Sequence, residues 1–282
     1  MKLTFYFILF YSFCFSQETI DLTEVSYTFD VNLNSYTEGI PYKSRLYYND
    51  STSLFIYNRI NFEGAEGFFK KAGDRTGRFN GVRFYRNYDE EGYKFYLNFN
   101  TKELTSREVL MEKYEVTVKE KDIGFNWVIT EESKKIGDYV CYKATTQNFR
   151  GRNYEAWFTY DIPVPTGPWK FHGLPGLILE VHDDKDLINI TFNTIKQNSK
   201  SKAYYAKPNS KDVYNLEEYL KESFRLYLSY VNNKKAMIAT GQMRSGDPSA
   251  YVNIEYNDEQ IKLLDKYHQI EYNTYEESLK KE

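Results

Sequence analysis

The sequence predicts a mainly β fold: a large, curved antiparallel sheet built from hairpins, with one or two C-terminal helices (α+β by strict count). Apolar and polar residues alternate with a period of two through most of the chain, which is typical of half-buried strands. Tyr (28) and Phe (20) are abundant and Pro (7) is scarce, a composition that favours a pleated sheet. No internal repeat or low-complexity linker interrupts the pattern, so residues 17–282 are predicted to form a single β-rich domain.

Strands are predicted wherever the alternation is unbroken. Asp89 to Gly92 marks a hairpin turn between two of them. The Gly-rich stretch 63–81 is predicted to be a mobile insertion. The predicted strands cover residues 25–33, 45–48, 54–57, 82–88, 93–99, 108–118, 127–131, 139–147, 152–160, 177–182 and 187–195.

The last third of the chain changes to helical spacing. From Leu216 onward the apolar residues recur every three to four positions, which predicts an amphipathic helix. Asn215 with Glu218 resembles a capping box at its start, and Asn232-Asn233 is the predicted stop. A second helix is predicted from Asn257.

The N-terminus has the pattern of a cleavable signal peptide, residues 1–16. Lys2 is followed by an apolar run from Leu3 to Phe15, and Ser16 suits signal peptidase. The run is too short to span a bilayer, which needs roughly 20 apolar residues. A lipoprotein would need acylation of Cys14, but the residues before it fit that pattern poorly. We therefore expect a periplasmic or secreted protein that is not membrane-spanning.

Composition and motifs exclude several classes of function. A formal net charge of −3 does not predict nucleic-acid binding. Cys141 has no partner once Cys14 is removed with the signal, so no disulfide is expected. Its strand position makes it a structural thiol rather than a nucleophile. No phosphate-binding loop, nucleophile elbow or metal-ligand spacing is present, so no metal and no cofactor are predicted.

One segment has unusual local chemistry. Three prolines within residues 161–169 exclude a helix and predict a stiff extended connector. Trp169 and Phe171 are the large apolar anchors that would hold it against the sheet. Residues 174–177 predict a type II turn in which Gly176 takes a positive φ. The apolar run 177–179 then predicts a strand buried on both faces.

Residues 173–178 read GLPGLI, and the wider pattern resembles the GLPGLI family of exported bacterial proteins. The flanking segments 137–146, 149–152, 156–159 and 161–163 strengthen the likeness. The resemblance implies a secreted or periplasmic protein of unknown function, with some relatives encoded beside TonB-dependent outer-membrane receptors. The signature residues are Gly167, Pro168, Gly173, Leu174, Pro175, Gly176, Leu177 and Ile178.

Three functions remain open at this point. The first is a binding or accessory module for an outer-membrane partner or ligand, and its candidate residues are Arg150, Arg152, Trp157, Trp169, Phe171 and His172. The second is a hydrolase acting on exported peptides or glycans, with His172 or His182 as base beside Glu180 or Asp183. The third is a lipid-handling or structural protein. The oligomeric state is open.

Two alternatives concern single segments. Residues 150–152 are either an exposed hairpin turn or an arginine clamp for an anion. The signature segment is either a corner of the fold or the wall of a ligand pocket. Strand alternation places Glu180 and His182 on one face of their strand and Asp183 on the other, which argues against a shared metal site.

Overall fold

The structure, a computed structural model, describes residues 22–31, 42–57, 76–79, 82–85, 93–110, 114–149, 152–184, 186, 188–199 and 205–241. These residues form fourteen strands and one helix. The elements are β1 (Leu22–Val31), β2 (Tyr42–Tyr48), β3 (Thr52–Tyr57), β4 (Thr76–Phe79), β5 (Val82–Tyr85), β6 (Tyr93–Asn98), β7 (Glu103–Leu110), β8 (Tyr114–Lys121), β9 (Val128–Ile136), β10 (Tyr139–Phe149), β11 (Arg152–Thr159), β12 (Leu177–Asp183), β13 (Ile188–Ser199), β14 (Val213–Asn215) and α1 (Leu216–Ala239).

Twelve strands form one open sheet in the order β14-β8-β7-β6-β3-β2-β1-β13-β12-β11-β10-β9. Neighbouring strands are antiparallel except β14, which runs parallel to β8. β4 and β5 form a separate two-stranded sheet. The predicted mainly β fold with a C-terminal helix is confirmed.

One predicted strand connection and one predicted strand were wrong. β5 pairs with β4, and β6 pairs with β3, so the described residues do not form the predicted hairpin between residues 82–88 and 93–99. The β3–β6 register sets Phe55 opposite Phe95, both buried, and this non-local contact outweighs the local turn signal. The predicted strand 108–118 is instead parts of β7 and β8, because alternation alone cannot distinguish one strand from a short hairpin.

Other predictions fall on undescribed residues. The signal segment, Cys14 and the second helix from residue 257 lie outside the described ranges. Of the predicted insertion 63–81, the structure describes only residues 76–79, which form β4.

β12 separates from β13 over much of its length. The two strands are paired only at Val181 and His182. Earlier in β12 other groups satisfy the backbone: Tyr27 Oη donates to Ile178 O at 2.8 Å, and the Ile178 N–H donates to Thr166 O at 3.0 Å. Leu177 to Leu179 are fully buried, so the predicted strand with two buried faces is confirmed.

Helix α1 begins at the predicted capping box. The Glu218 N–H donates to Asn215 Oδ1 at 2.9 Å, and the Asn215 N–H donates to Glu218 Oε2 at 3.0 Å. The predicted stop at residues 232–233 was wrong, because two exposed asparagines lower helix propensity only slightly. The helix ends before Gly241, whose φ of 72° is typical of a helix C-terminus.

Helix α1 covers one end of the sheet. Its first half packs against Val116 and Val118 of β8 through Leu216, Tyr219 and Leu226. Within the described ranges, no helix combines the length and the apolar character that a membrane span requires.

The structure assigns Gly176 a different role from the predicted turn. Its φ is not positive, and Gly173 holds the left-handed conformation instead, with a φ of 91°. A Cβ at residue 176 would lie 1.9 Å from the backbone oxygen of Thr159. The type II turn prediction was therefore wrong, since Gly176 is needed for close packing of two backbones.

We predict that Gly176→Ala destabilises the fold by about 3 kcal/mol or prevents folding, because backbone atoms cannot yield to the new methyl group. Gly124→Ala is the matched control, since the nearest atom to its added Cβ is 3.9 Å away. Urea denaturation of both variants measures the difference. Equal stability of the two would contradict the close packing at Thr159.

Candidate functional site

Residues 160–176, here called the core loop, connect β11 to β12 and fold back on themselves. The Val164 N–H donates to Ile162 O at 2.8 Å and the Thr166 N–H donates to Val164 O at 2.9 Å, closing tight turns at the two intervening prolines. Thr166 then bridges His172 in antiparallel fashion. The predicted exclusion of helix is confirmed, and the prolines make the loop rigid.

Trp169 and Phe171 project from the core loop into the main hydrophobic core, as predicted. Trp169 is 9% exposed and Phe171 is 1% exposed. Trp169 has a left-handed backbone with a φ of 54°, which costs an L-residue roughly 1–2 kcal/mol. Burial of the indole offsets this cost, since burying a large apolar side chain contributes about 1.5–3 kcal/mol.

These two rings join distant parts of the sheet. Ring centroids lie 6.3 Å apart between Phe95 of β6 and Trp169, 5.5 Å between Trp169 and Phe171, and 4.9 Å between Phe171 and Tyr154 of β11. β6 and β11 are six positions apart in the sheet order, which would be about 29 Å on a flat sheet. The sheet therefore curves around the core loop.

Polar contacts also fix the core loop. Lys170 Nζ lies 3.1 Å from Glu120 Oε1 of β8, and both side chains are almost fully buried. Thr166 Oγ1 lies 2.8 Å from Ser53 Oγ of β3. A buried ion pair and a hydroxyl pair thus hold the loop to the half of the sheet that is distant in sequence, in addition to the aromatic contacts.

Arg152 is buried against Asp183 rather than exposed in a turn. Its Nη1 donates to Asp183 Oδ2, and the two side chains are 1% and 0% exposed. Asp183 Oδ1 also accepts from the Ile188 N–H at 2.8 Å. The exposed-turn interpretation was therefore wrong for Arg152, and its guanidinium holds a carboxylate of the same chain. Arg150 lies outside the described residues.

His172 is half-buried beside the core loop. Its Nδ1 lies 2.8 Å from Lys170 O, and Trp127 Nε1 donates to His172 O at 2.9 Å. Burial lowers the pKa of His172, because a charged imidazolium would lose its hydration there. The ring is therefore neutral at neutral pH and has a structural position between Phe125 and the loop backbone.

The opposite face of β9–β12 carries a charged cluster, of which the sequence analysis named Trp157, Glu180 and His182 but not Lys134, Lys143 or Glu155. Trp157 Nε1 donates to Glu155 Oε1 at 2.9 Å, and Lys134 Nζ lies 4.3 Å from the Trp157 ring centroid. Lys134 Nζ also lies 2.5 Å from Glu180 Oε2. The strand register that aligns these residues could not be derived from alternation alone.

Glu155 is the centre of this cluster. Lys143 Nζ lies 2.8 Å from its Oε2, and His182 Nε2 lies 3.4 Å from its Oε1. Burial alone would raise the pKa of Glu155. Hydrogen bonds from Lys143 and Trp157 lower it by more than burial raises it, so the pKa lies below its usual value. The carboxylate stays ionised at neutral pH, so it cannot serve as a general acid there.

The predicted catalytic residues are divided between the two faces of β12. Asp183 is buried with Arg152, while Glu180 and His182 are half-exposed on the face with Lys134 and Glu155, as alternation predicted. Trp157 faces away from Phe171, because Tyr154 and Trp157 have opposite parity along β11. In the described part of the chain, no group of three His, Cys, Asp or Glu residues is placed to hold a metal ion.

Cys141 lies in β10 opposite Lys134 and is fully buried. Burial, with the charge of Glu180, raises the pKa of the Cys141 thiol to about 12. The thiol is a weak nucleophile at neutral pH.

The described residues leave one long edge of the sheet open. β9 is the last strand in the sheet order, and its described partner is β10. Within the described ranges, the exposed large apolar side chains lie mainly beside this edge: Val128, Ile129, Val140 and Tyr160, with Val213 at the other edge. We call β9 with Val140 and Tyr160 the rim.

Comparisons with known proteins place the chain only broadly. A model of a family described as "Protein of unknown function (Porph_ging)" matches residues 150–180, from β11 through the core loop into β12. The match contains the GLPGLI signature and is compatible with the resemblance described above. No curated protein matches the sequence significantly.

Several solved structures are similar at low identity. The structures of PNGF-II in the C2 and P21 space groups give TM-scores of 0.48 and 0.49 at 16% and 17% identity, covering 73% of this chain. This chain spans 33% of the PNGF-II chain. An uncharacterized conserved protein from Thermus thermophilus gives a TM-score of 0.34 at 9% identity, covering 69% of this chain and 90% of its own. Similarity at this level supports no functional statement about this chain.

We predict that Asp183→Asn lowers the free energy of unfolding by about 3 kcal/mol, because it removes the buried negative charge that faces Arg152. Asp184→Asn is the control, since Asp184 is exposed and its carboxylate accepts from the neutral Asn153 Nδ2 at 2.9 Å. Urea titration compares the two variants. A loss for Asp183→Asn no larger than that of the control would contradict a buried charge pair.

We also predict that the Cys141 thiol resists alkylation at pH 8 in the folded protein and reacts rapidly in urea, where its pKa returns to about 8.5. A chain that starts at residue 17 contains this thiol alone, so mass spectrometry gives an unambiguous signal. Fast labelling of the folded protein would mean that Cys141 is accessible and ionised, contrary to its burial.

Proposed function

We propose that this protein is an exported, non-enzymatic binding or accessory module of the bacterial envelope, and that it engages its partner at the rim. The observation that carries the proposal is that the described residues leave the edge of β9 unpaired, with Val128 and Ile129 exposed beside it. An uncovered edge strand offers unpaired N–H and C=O groups to an incoming strand. Exposed apolar side chains beside that edge would add contact area.

The proposal favours the rim over the sheet interior. Trp169 and Phe171 fill the space against the core face, so the residues first considered for ligand contact support the fold instead. Lys170 is matched by Glu120, and Arg152 by Asp183. Charged groups that are already paired and buried offer little to an external ligand.

Binding is favoured over hydrolysis for a chemical reason. A hydrolase would need an imidazole and a carboxyl group positioned on the same substrate atom. Asp183 is buried on one side of β12, and His182 is half-exposed on the other, where Lys143 and Trp157 already bind the Glu155 carboxylate beside it. Cys141, with a pKa of about 12, is a poor nucleophile.

The envelope location rests on the sequence. Residues 1–16 have the composition of a signal peptide, and the GLPGLI resemblance suggests an exported protein near an outer-membrane receptor. We therefore take an envelope component with an accessible extended segment as the class of partner.

The test is affinity capture from envelope extract with the immobilised chain from residue 17. We expect Val128→Asp with Ile129→Asp to reduce recovery of a stoichiometric partner about tenfold or more, because charge at the rim opposes strand docking. Val213→Asp is the matched control, because Val213 is an exposed valine at the opposite edge of the sheet.

Both variant proteins should keep the stability of the unmodified chain, which urea denaturation verifies. Recovery of the same partner by the rim variant and the control would contradict a binding site at the rim. So would the absence of any stoichiometric partner with the unmodified chain.

A further inference from the structure

The charged residues of β9 lie symmetrically on either side of Ser133, with two acidic residues before it and two basic residues after it. Glu131 and Glu132 precede Ser133, and Lys134 and Lys135 follow it at the same separations. When a strand pairs with a copy of itself in antiparallel fashion about a twofold axis at Ser133, residue 131 lies opposite residue 135 and residue 132 opposite residue 134. Every charged position would then face the opposite sign.

We propose that the rim is occupied by a second copy of this chain, with the two β9 strands paired antiparallel about a twofold axis at Ser133. The proposal rests on the proposed function, because it uses the same edge, and it names the strand that pairs with β9 when no envelope partner is bound. Its chemistry is specific: a twofold contact is self-complementary by construction, and β9 supplies both halves of each charge pair.

The inner charge pairs lie on a defined face of the joined sheet. Glu132 and Lys134 lie on the face with Trp157, because Lys143 contacts Glu132 at 3.2 Å and Lys134 contacts the indole ring. Lys135 lies on the other face by alternation from Lys134, whereas Glu131 is exposed within the bulge between Ile129 and Ser133. The dimer would thus gain two Glu132–Lys134 pairs on the Trp157 face and two Glu131–Lys135 pairs beside them.

One face already has a row of alternating charges that ends at the rim. Glu155 contacts Lys143 at 2.8 Å, and Lys143 contacts Glu132 at 3.2 Å. The next charge across a twofold contact would be Lys134 of the second copy, which in its own chain contacts Glu180 at 2.5 Å. The contact would continue the row without placing like charges side by side.

The exposed pair Glu131 and Lys135 is suited to a test. Both side chains are exposed, and neither takes part in an ion pair within the part of the chain that the structure describes. Changing either one leaves the contacts of Lys134, Glu132 and Trp157 in place. An effect on association can therefore be separated from an effect on folding.

The dimer is expected to be weak and sensitive to salt. A bulge in β9 between Ile129 and Ser133 interrupts its regular pairing with β10 and limits the new contact to a few residues around Ser133. Exposed charge pairs are screened at high ionic strength. Charges and bulges on edge strands can instead prevent association. The experiment therefore has to distinguish a dimer contact from a protected edge.

The experiment is sedimentation equilibrium of the chain from residue 17, at low and at high salt. We expect a monomer–dimer equilibrium for the unmodified chain that weakens in high salt. Glu131→Lys and Lys135→Glu should each weaken association roughly tenfold, because each places like charges opposite one another twice per dimer.

Mixing the two variants should restore association, because the lysine introduced at position 131 of one chain then faces the glutamate introduced at position 135 of the other, while the remaining pair is unchanged. Glu217→Lys in α1 is the control for net charge, since Glu217 is exposed and far along the chain from β9. It should associate as the unmodified chain does.

A chain that remains monomeric at all concentrations would overturn the proposal and would mean that the charges only protect the edge. Equal association of the variants, or a mixture no stronger than either variant alone, would overturn it as well. The proposed function fails separately: it fails when charge at Val128 and Ile129 leaves capture of an envelope partner unchanged. A chain that stays monomeric but still captures such a partner through the rim would refute the dimer proposal and leave the proposed function standing.

Discussion

The packing of Trp169 on Phe171 is the interaction on which the rest of the structure depends. Through these two rings the core loop contacts Phe95 on one side and Tyr154 on the other, strands that a flat sheet would hold about 29 Å apart. These ring contacts therefore curve a long open sheet around the core loop. The left-handed backbone at Trp169 is the local cost of aiming the indole inward.

Local chemistry explains what could be predicted from the sequence. The prolines of the core loop exclude a helix wherever they occur, the apolar run 177–179 needs burial on both faces, and Asn215 with Glu218 forms its cap from neighbouring residues. The errors at the connection between β5 and β6 and at Gly176 concern non-local contacts. Gly176 is required by a Thr159 oxygen that approaches from β11, and no local pattern could reveal that approach.

In the candidate site too, residue types can be recognised from the sequence, whereas their neighbours depend on non-local strand pairing. Trp157 was identified from its residue type, but Lys134 and Glu155 become its neighbours only through the register of β9, β10 and β11. The sequence leaves Arg152 open between an exposed turn and an anion clamp, because its buried counter-charge, Asp183, comes from β12. The charge order along β9 is visible in the sequence, whereas its position at an open edge is a property of the sheet order.

The signature segment is part of the core, so the protection of the core loop against hydrogen exchange is the most direct test. The N–H groups of Phe171, Gly173 and Ile178 donate to oxygens within or next to this loop. Amide hydrogen exchange followed by mass spectrometry should show residues 164–178 exchanging as slowly as β11 and β12, through global unfolding. Exchange of this segment at the rate of an exposed loop, with β11 and β12 still protected, would contradict the account.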